Sequence, residues 1–162
     1  METDAYDAAQ SIFRGTFDLA DIVFLIILLF LLLCSALASA SEVAYFSLSP
    51  GELEKLKEKG YDKVANLHQK PNLLLSTILI TNNFVNVGIV ILSTYLVNSL
   101  FDFSGNPVLG FIIQVIGVTF IILLFGEIIP KLYANRSQVK MAIFMAGPLT
   151  FLPYLFRPLS TL

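Results

Sequence analysis

Residues 22–41 read IVFLIILLFLLLCSALASAS, which is 20 residues without a charge. At about 1.5 Å per residue, a helix of that length crosses a hydrocarbon core of about 30 Å. Lipid offers no water to backbone N–H and C=O groups, so such a run must bond its own backbone as a helix. Further charge-free runs follow at 73–101, 103–126 and 141–156. Composition points the same way: 56% of the 162 residues are hydrophobic and 14% are charged. An ordinary soluble domain has roughly 45–50% and about 25%, and a soluble fold of this size could not hide the excess. The expected fold is an all-α membrane protein with three transmembrane helices at 22–41, 73–100 and 103–128.

Several function classes fall away at once. The formal net charge is −2 and there is no basic tail, so nucleic acid is not an expected partner. One cysteine, Cys34, forms no internal disulfide, and one cysteine with one histidine builds no zinc site. No nucleophile stands with a base in reach of a substrate pocket, so no enzyme is expected. Ala38-Ser39-Ala40 resembles a signal-peptide cleavage site, but the apolar run before it is long and residues 1–21 are acidic where a signal peptide is basic.

Lysine and arginine set the orientation. Arg14 alone precedes the first run. Lys55, Lys57, Lys59, Lys63 and Lys70 lie between the first and second, and Lys131, Arg136, Lys140 and Arg157 follow the third. Three crossings from an outside N-terminus put nine of these ten residues in the cytoplasm, as the positive-inside rule prefers. That topology needs the fourth run to lie along the inner interface at 141–158. Pro148 and Pro153 interrupt it and Arg157 follows directly, with a fourth crossing as the alternative. The chain is thus expected in the cell (inner) membrane, with residues 1–21 outside. Between the first two spans, Ser49-Pro50-Gly51-Glu52 reads as a helix start, Gly60 as its end and residues 62–69 as a second short helix. Residues 50–70 therefore form a cytoplasmic helical hairpin.

Chemistry should sit where polar groups enter the apolar runs, since such groups are costly there. Ser35, Ser39 and Glu42 are spaced i, i+4, i+7 and share a face, with Ser41 beside them. Small residues at that spacing also serve helix packing alone. In the second run Asn82 and Asn86 share a face, with Thr81 and Asn83 adjacent, either for interhelical hydrogen bonds or as oxygen ligands. In the third, Phe125-Gly126-Glu127-Ile128-Ile129-Pro130-Lys131 sets a carboxylate beside a proline. Pro130 has no N–H for the carbonyl four residues back, that of Gly126, and broken helices of this kind coordinate cations in transporters. Alternatively, Glu127 snorkels to the interface and pairs with Lys131. Hydroxyl, amide, carbonyl and carboxylate oxygens without a soft ligand suit Mg²⁺, Ca²⁺ or Na⁺ rather than zinc or copper; the residues alone do not choose the ion.

Three ordered motifs carry a resemblance. Ser35-x-x-x-Ser39-Ala40-Ser41-Glu42-x-Ala44, Asn82-Asn83-x-x-Asn86 and Gly126-Glu127-Ile128-Ile129-Pro130-Lys131 together resemble the transmembrane domain of the CNNM/CorC Mg²⁺ transporter family, over nearly the whole chain from about Asp21. The resemblance implies three spans, an external N-terminus, the cytoplasmic hairpin, a C-terminal juxtamembrane belt helix and a homodimer in the lipid bilayer. It also implies an ion site drawing on Ser39 with Ser35 or Ser41, on Asn86 with the Thr81 carbonyl, and on Glu127.

The chain departs from the pattern at Ala36 and Ala40, where glycines often flank the first-span serine, and at Thr81, where glycine is common. Family members continue into cytosolic CBS-pair domains, so a chain ending at Leu162 reads as an excised membrane domain. The function expected is export of Mg²⁺, with Na⁺ as coupling ion. The rival is a membrane scaffold or sensor that holds a structural cation and acts through partner proteins.

Overall fold

The structure is a computed structural model that describes residues 18–160, with side chains described as far as 152. The segment 1–17, expected outside the cytoplasm, lies outside the described residues. Among the described residues there is no strand, and helices account for nearly all of the chain. They are α1 (Leu19–Phe46), α2 (Pro50–Glu58), α3 (Asp62–His68), α4 (Pro71–Leu100), α5 (Pro107–Arg136) and α6 (Gln138–Ser160).

Helices α1, α4 and α5 are 28, 30 and 30 residues long, and each is apolar enough to cross a bilayer. Each exceeds the charge-free run that announced it, because polar residues extend the ends. Asp18 caps α1: its Oδ1 accepts from Leu19 N at 2.9 Å, and Asp18 N donates to Asp21 Oδ2 at 3.1 Å. Asp21 is buried, and its Oδ1 accepts from Ser99 Oγ at 2.7 Å, tying the start of α1 to the end of α4. Helix α5 starts at Pro107 rather than at 103. Asn106 caps it, with Oδ1 accepting from Leu109 N at 3.2 Å, after the turn that follows Phe101.

Proline and serine mark the hairpin. Ser49 caps α2 in a reciprocal box with Glu52, and Pro50 occupies the first turn, where its missing N–H costs nothing. Gly60, at φ 82°, makes the turn into α3, and Pro71 opens α4.

Two apolar clusters hold the helices together. The larger sits at the hairpin end, where Tyr45, Leu56, Val64, Ile78, Met145 and Leu149 bring together α1, α2, α3, α4 and α6. Tyr45 Oη donates to the Ala142 carbonyl at 2.9 Å in this buried region, pinning α6 to α1. The smaller cluster, at mid-length, joins Val85 and Ile89 of α4 to Ile122 of α5. Much of the remaining apolar surface, such as Ile26, Phe30, Ile91, Phe111 and Phe120, is exposed, as expected where lipid is the solvent.

Helix α5 is not uniformly α. Two stretches, Ile113–Gly117 and Ile122–Ile128, take the wider π register, and Ile129 N–H reaches back five residues to the Leu124 carbonyl. Continued at that spacing, the carbonyl that Pro130 leaves without a donor is that of Phe125. The count of four that singles out Gly126 therefore does not carry through this segment. Such π turns inside α-helices recur at functional sites, and this one contains Glu127.

A candidate cation site between three helices

Ser35 on α1, Asn82 and Asn86 on α4, and Glu127 on the π segment of α5 converge where the three long helices meet. Ser35 Oγ lies 2.9 Å from Asn82 Oδ1 and 2.7 Å from Asn86 Oδ1. Asn86 Nδ2 donates to Glu127 Oε1 at 3.5 Å. The close approach of α5 depends on a missing side chain: a Cβ on Gly126 would stand 3.0 Å from Ser35 Oγ.

Two asparagine carbonyl oxygens face a single hydroxyl here. A serine hydroxyl has one hydrogen, so it serves one of the two asparagine carbonyls at a time. Among the described residues, the Glu127 carboxylate accepts the long contact from Asn86 and no other. One turn further along α1, Ser39 Oγ is buried and has no hydrogen-bond partner among the described residues. A buried hydroxyl left unserved costs about 1–3 kcal/mol. This donor set fits a hard cation: oxygen ligands, one carboxylate, and a close helix approach that glycine permits. Among the described residues no group of three His, Cys, Asp or Glu side chains stands together, so neutral oxygens would make up most of any coordination shell. One carboxylate among neutral ligands makes for modest affinity.

The hydroxyls of two other sequence-derived candidates point elsewhere. Ser41 Oγ donates to the Leu37 carbonyl at 2.6 Å, and Thr81 Oγ1 donates to the Thr77 carbonyl at 2.7 Å. Both hydroxyls are thus satisfied within their own helices, a common habit of Ser and Thr in apolar helices. Asn83 is exposed on the outer face of α4. Ser35, Ser39 and Ala40 are buried within the chain, so the small-residue face of α1 packs against its own α4 and α5 and is not free for a second copy.

Lys131 does not take the alternative pairing with Glu127. Its Nζ lies 3.0 Å from Glu42 Oε2, across from α5 to α1. Sequence reasoning missed this pair, although Glu42 follows Ser39 by three residues and Lys131 follows Glu127 by four. It also missed the buried Asp21–Ser99 link, because the two residues are 78 apart in the chain.

Three long apolar helices packed around a polar, oxygen-lined cluster define a helical membrane domain. Residues 26–162 match the cyclin M (CNNM) transmembrane N-terminal domain, and the chain belongs to that family. It is 36% identical over 137 residues to a UPF0053 protein of Haemophilus influenzae, covering 83% of this chain and 31% of that one. It is 29% identical over 140 residues to the polyamine export protein of the same organism, covering 80% of this chain and 32% of the relative. It is also 29% identical over 141 residues to the metal transporter cnnm-4 of Caenorhabditis elegans, covering 80% and 29%. The chain thus spans about a third of the length of these relatives.

Proposed function

We propose that this domain carries a divalent cation, Mg²⁺, out of the cytoplasm, with Na⁺ as the coupling ion. The convergence of side-chain oxygens from Ser35, Asn82, Asn86 and Glu127 carries the reading. Four oxygen-bearing side chains from three helices with one proton between the two asparagine carbonyls form a place that a hard cation completes. The metal-transporter name of one relative supports it. The polyamine name of another raises an organic polycation as a second cargo, but a single carboxylate matches only one of its ammonium groups. Membership of the family makes a homodimer and further cytosolic CBS-pair domains part of the proposal for the whole protein.

In the proposed orientation the N-terminus is outside, the hairpin and the C-terminus are in the cytoplasm, and α6 lies along the inner interface. The distribution of Lys and Arg and the docking of α6 on the hairpin both support it. Single cysteines at Asn106 and at Lys57 should label from opposite sides of sealed vesicles; labelling of both from one side sinks this topology.

The decisive experiment is Mg²⁺ flux in proteoliposomes carrying an entrapped Mg²⁺-sensitive dye, beside a melting series in Mg²⁺, Ca²⁺, Mn²⁺, Na⁺ and spermidine. Flux with Mg²⁺-dependent stabilisation is expected. Stabilisation without flux favours the scaffold or sensor with a structural ion, and stabilisation by spermidine alone favours the organic cargo.

A further inference from the structure

Beyond the oxygen cluster, the facing sides of α1 and α5 continue toward the hairpin end in matched steps. On α1, Ser39 follows Ser35 by four residues and Glu42 follows Ser39 by three, so all three share a face. On α5, Lys131 follows Glu127 by four. The lower members meet, with Lys131 Nζ 3.0 Å from Glu42 Oε2, and both side chains are partly exposed. With Val43, Phe46, Ser47 and Leu75 they line a shallow, open cavity of about 370 Å³ at the hairpin end. Between this pair and the cluster stands Ser39, the buried hydroxyl with no partner among the described residues.

We propose that Glu42 is a staging carboxylate that takes the divalent cation from the cavity and passes it along Ser39 to Ser35, Asn86 and Glu127, while Lys131 is a tethered cation that holds Glu42 when no ion is there. The proposal rests on the divalent-cation reading of the cluster. A half-exposed ion pair by itself adds little to stability, and a simple brace between α1 and α5 leaves the empty-handed Ser39 hydroxyl unexplained. A carboxylate ahead of a mostly neutral site gives a strongly hydrated ion such as Mg²⁺ a charged ligand while it sheds water in steps. A divalent ion carries twice the charge of an ammonium and competes successfully for the same carboxylate. Lys131, once displaced, has a long stem that lets its head return to the open cavity.

The test compares Glu42→Gln with Lys131→Gln in proteoliposomes holding a Mg²⁺-sensitive dye, with calorimetric Mg²⁺ titration and a melting curve for each. Glu42→Gln should slow flux about tenfold while equilibrium affinity moves less than about threefold, since it removes a group used in transit rather than in the bound state. Lys131→Gln removes the competitor and should raise flux at sub-saturating Mg²⁺ by about two- to threefold. The two variants lose the same ion pair, so a structural brace predicts that both slow and both melt lower. Flux slowed equally in both, or parental flux in Glu42→Gln, overturns the proposal. Should Glu42→Gln fail to fold, Lys131→Gln still decides: faster flux supports staging and slower flux overturns it. A parent protein that carries no Mg²⁺ overturns the transport reading itself, an outcome distinct from a transporting parent whose two variants behave alike.

Discussion

Ser35 Oγ stands 2.7 Å from Asn86 Oδ1, and the same oxygen stands 2.9 Å from Asn82 Oδ1. One hydroxyl hydrogen therefore faces two carbonyl oxygens in the middle of an apolar helix bundle. Interhelical packing does not call for such an arrangement, since an alanine and a leucine would close the same gap without the cost of burying polar groups. On the proposed function a cation takes these oxygens as ligands, and the consequences can be measured.

Glu127 is the one carboxylate of the cluster, so its charge should dominate binding. Glu127→Gln keeps the size and one oxygen. Loss of about 2–3 kcal/mol of net interaction would weaken Mg²⁺ binding roughly 30- to 150-fold. Asn86→Ala should weaken it less, because it removes a neutral dipole, even though Asn86 contacts both Ser35 and Glu127. Calorimetric titration of both variants, with helix content checked by circular dichroism, gives the comparison. Parental affinity in Glu127→Gln would make Glu127 a structural residue.

Gly126→Ala should damage the site without damaging the fold. The added methyl would stand 3.0 Å from Ser35 Oγ, and Ser35 is held on its other side by two asparagines. Overpacking of this kind costs about 1–3 kcal/mol, which corresponds to roughly tenfold weaker Mg²⁺ binding when it falls on the bound state. Gly117 also lies in a π stretch of α5 but faces open space. Gly117→Ala should bind Mg²⁺ like the parent, and equal loss in both variants would refute the steric argument.

Tyr45→Phe should loosen α6. It removes the buried bond from Tyr45 Oη to the Ala142 carbonyl while leaving the ring in place. The expected loss is about 1 kcal/mol, read as a lower melting temperature. Faster amide exchange should appear in α6 before it appears in α4. Exchange rising uniformly along the chain would mean that α6 does not open as a separate unit.

The start of α2 should respond to acid. Bonds from the Ser49 side chain, and then the Ser49 backbone N–H, hold the Glu52 carboxyl below the usual carboxylate range. Its folded value is depressed, so the cap's contribution is complete above the ordinary range and is lost as pH falls through the folded value. Amide exchange at Glu52 and Leu53 should rise in acid, and Ser49→Ala should abolish most of that pH dependence. A Ser49→Ala variant with the parent's pH profile would rule the cap out as its source.

The sequence by itself determined the helices. A charge-free run of 20 residues in lipid has no alternative to bonding its own backbone, and Ser49-Pro50, Gly60, Pro71 and Asn106-Pro107 punctuate the chain through local geometry. The amino acids that contribute to the cluster were legible too, because asparagine and glutamate stand out within apolar runs. Tertiary structure alone decided which of them meet. Ser35 faces Asn86, whereas Ser41 and Thr81 turn back onto carbonyls of their own helices. Lys131 crosses to Glu42 and leaves Glu127 to Asn86, and Asp21 finds Ser99. Each outcome depends on the rotation of one helix about its axis relative to another. That rotation is set by side-chain packing, by the absent side chain at Gly126 and by the widened turn of α5, and a single helix's sequence does not contain it.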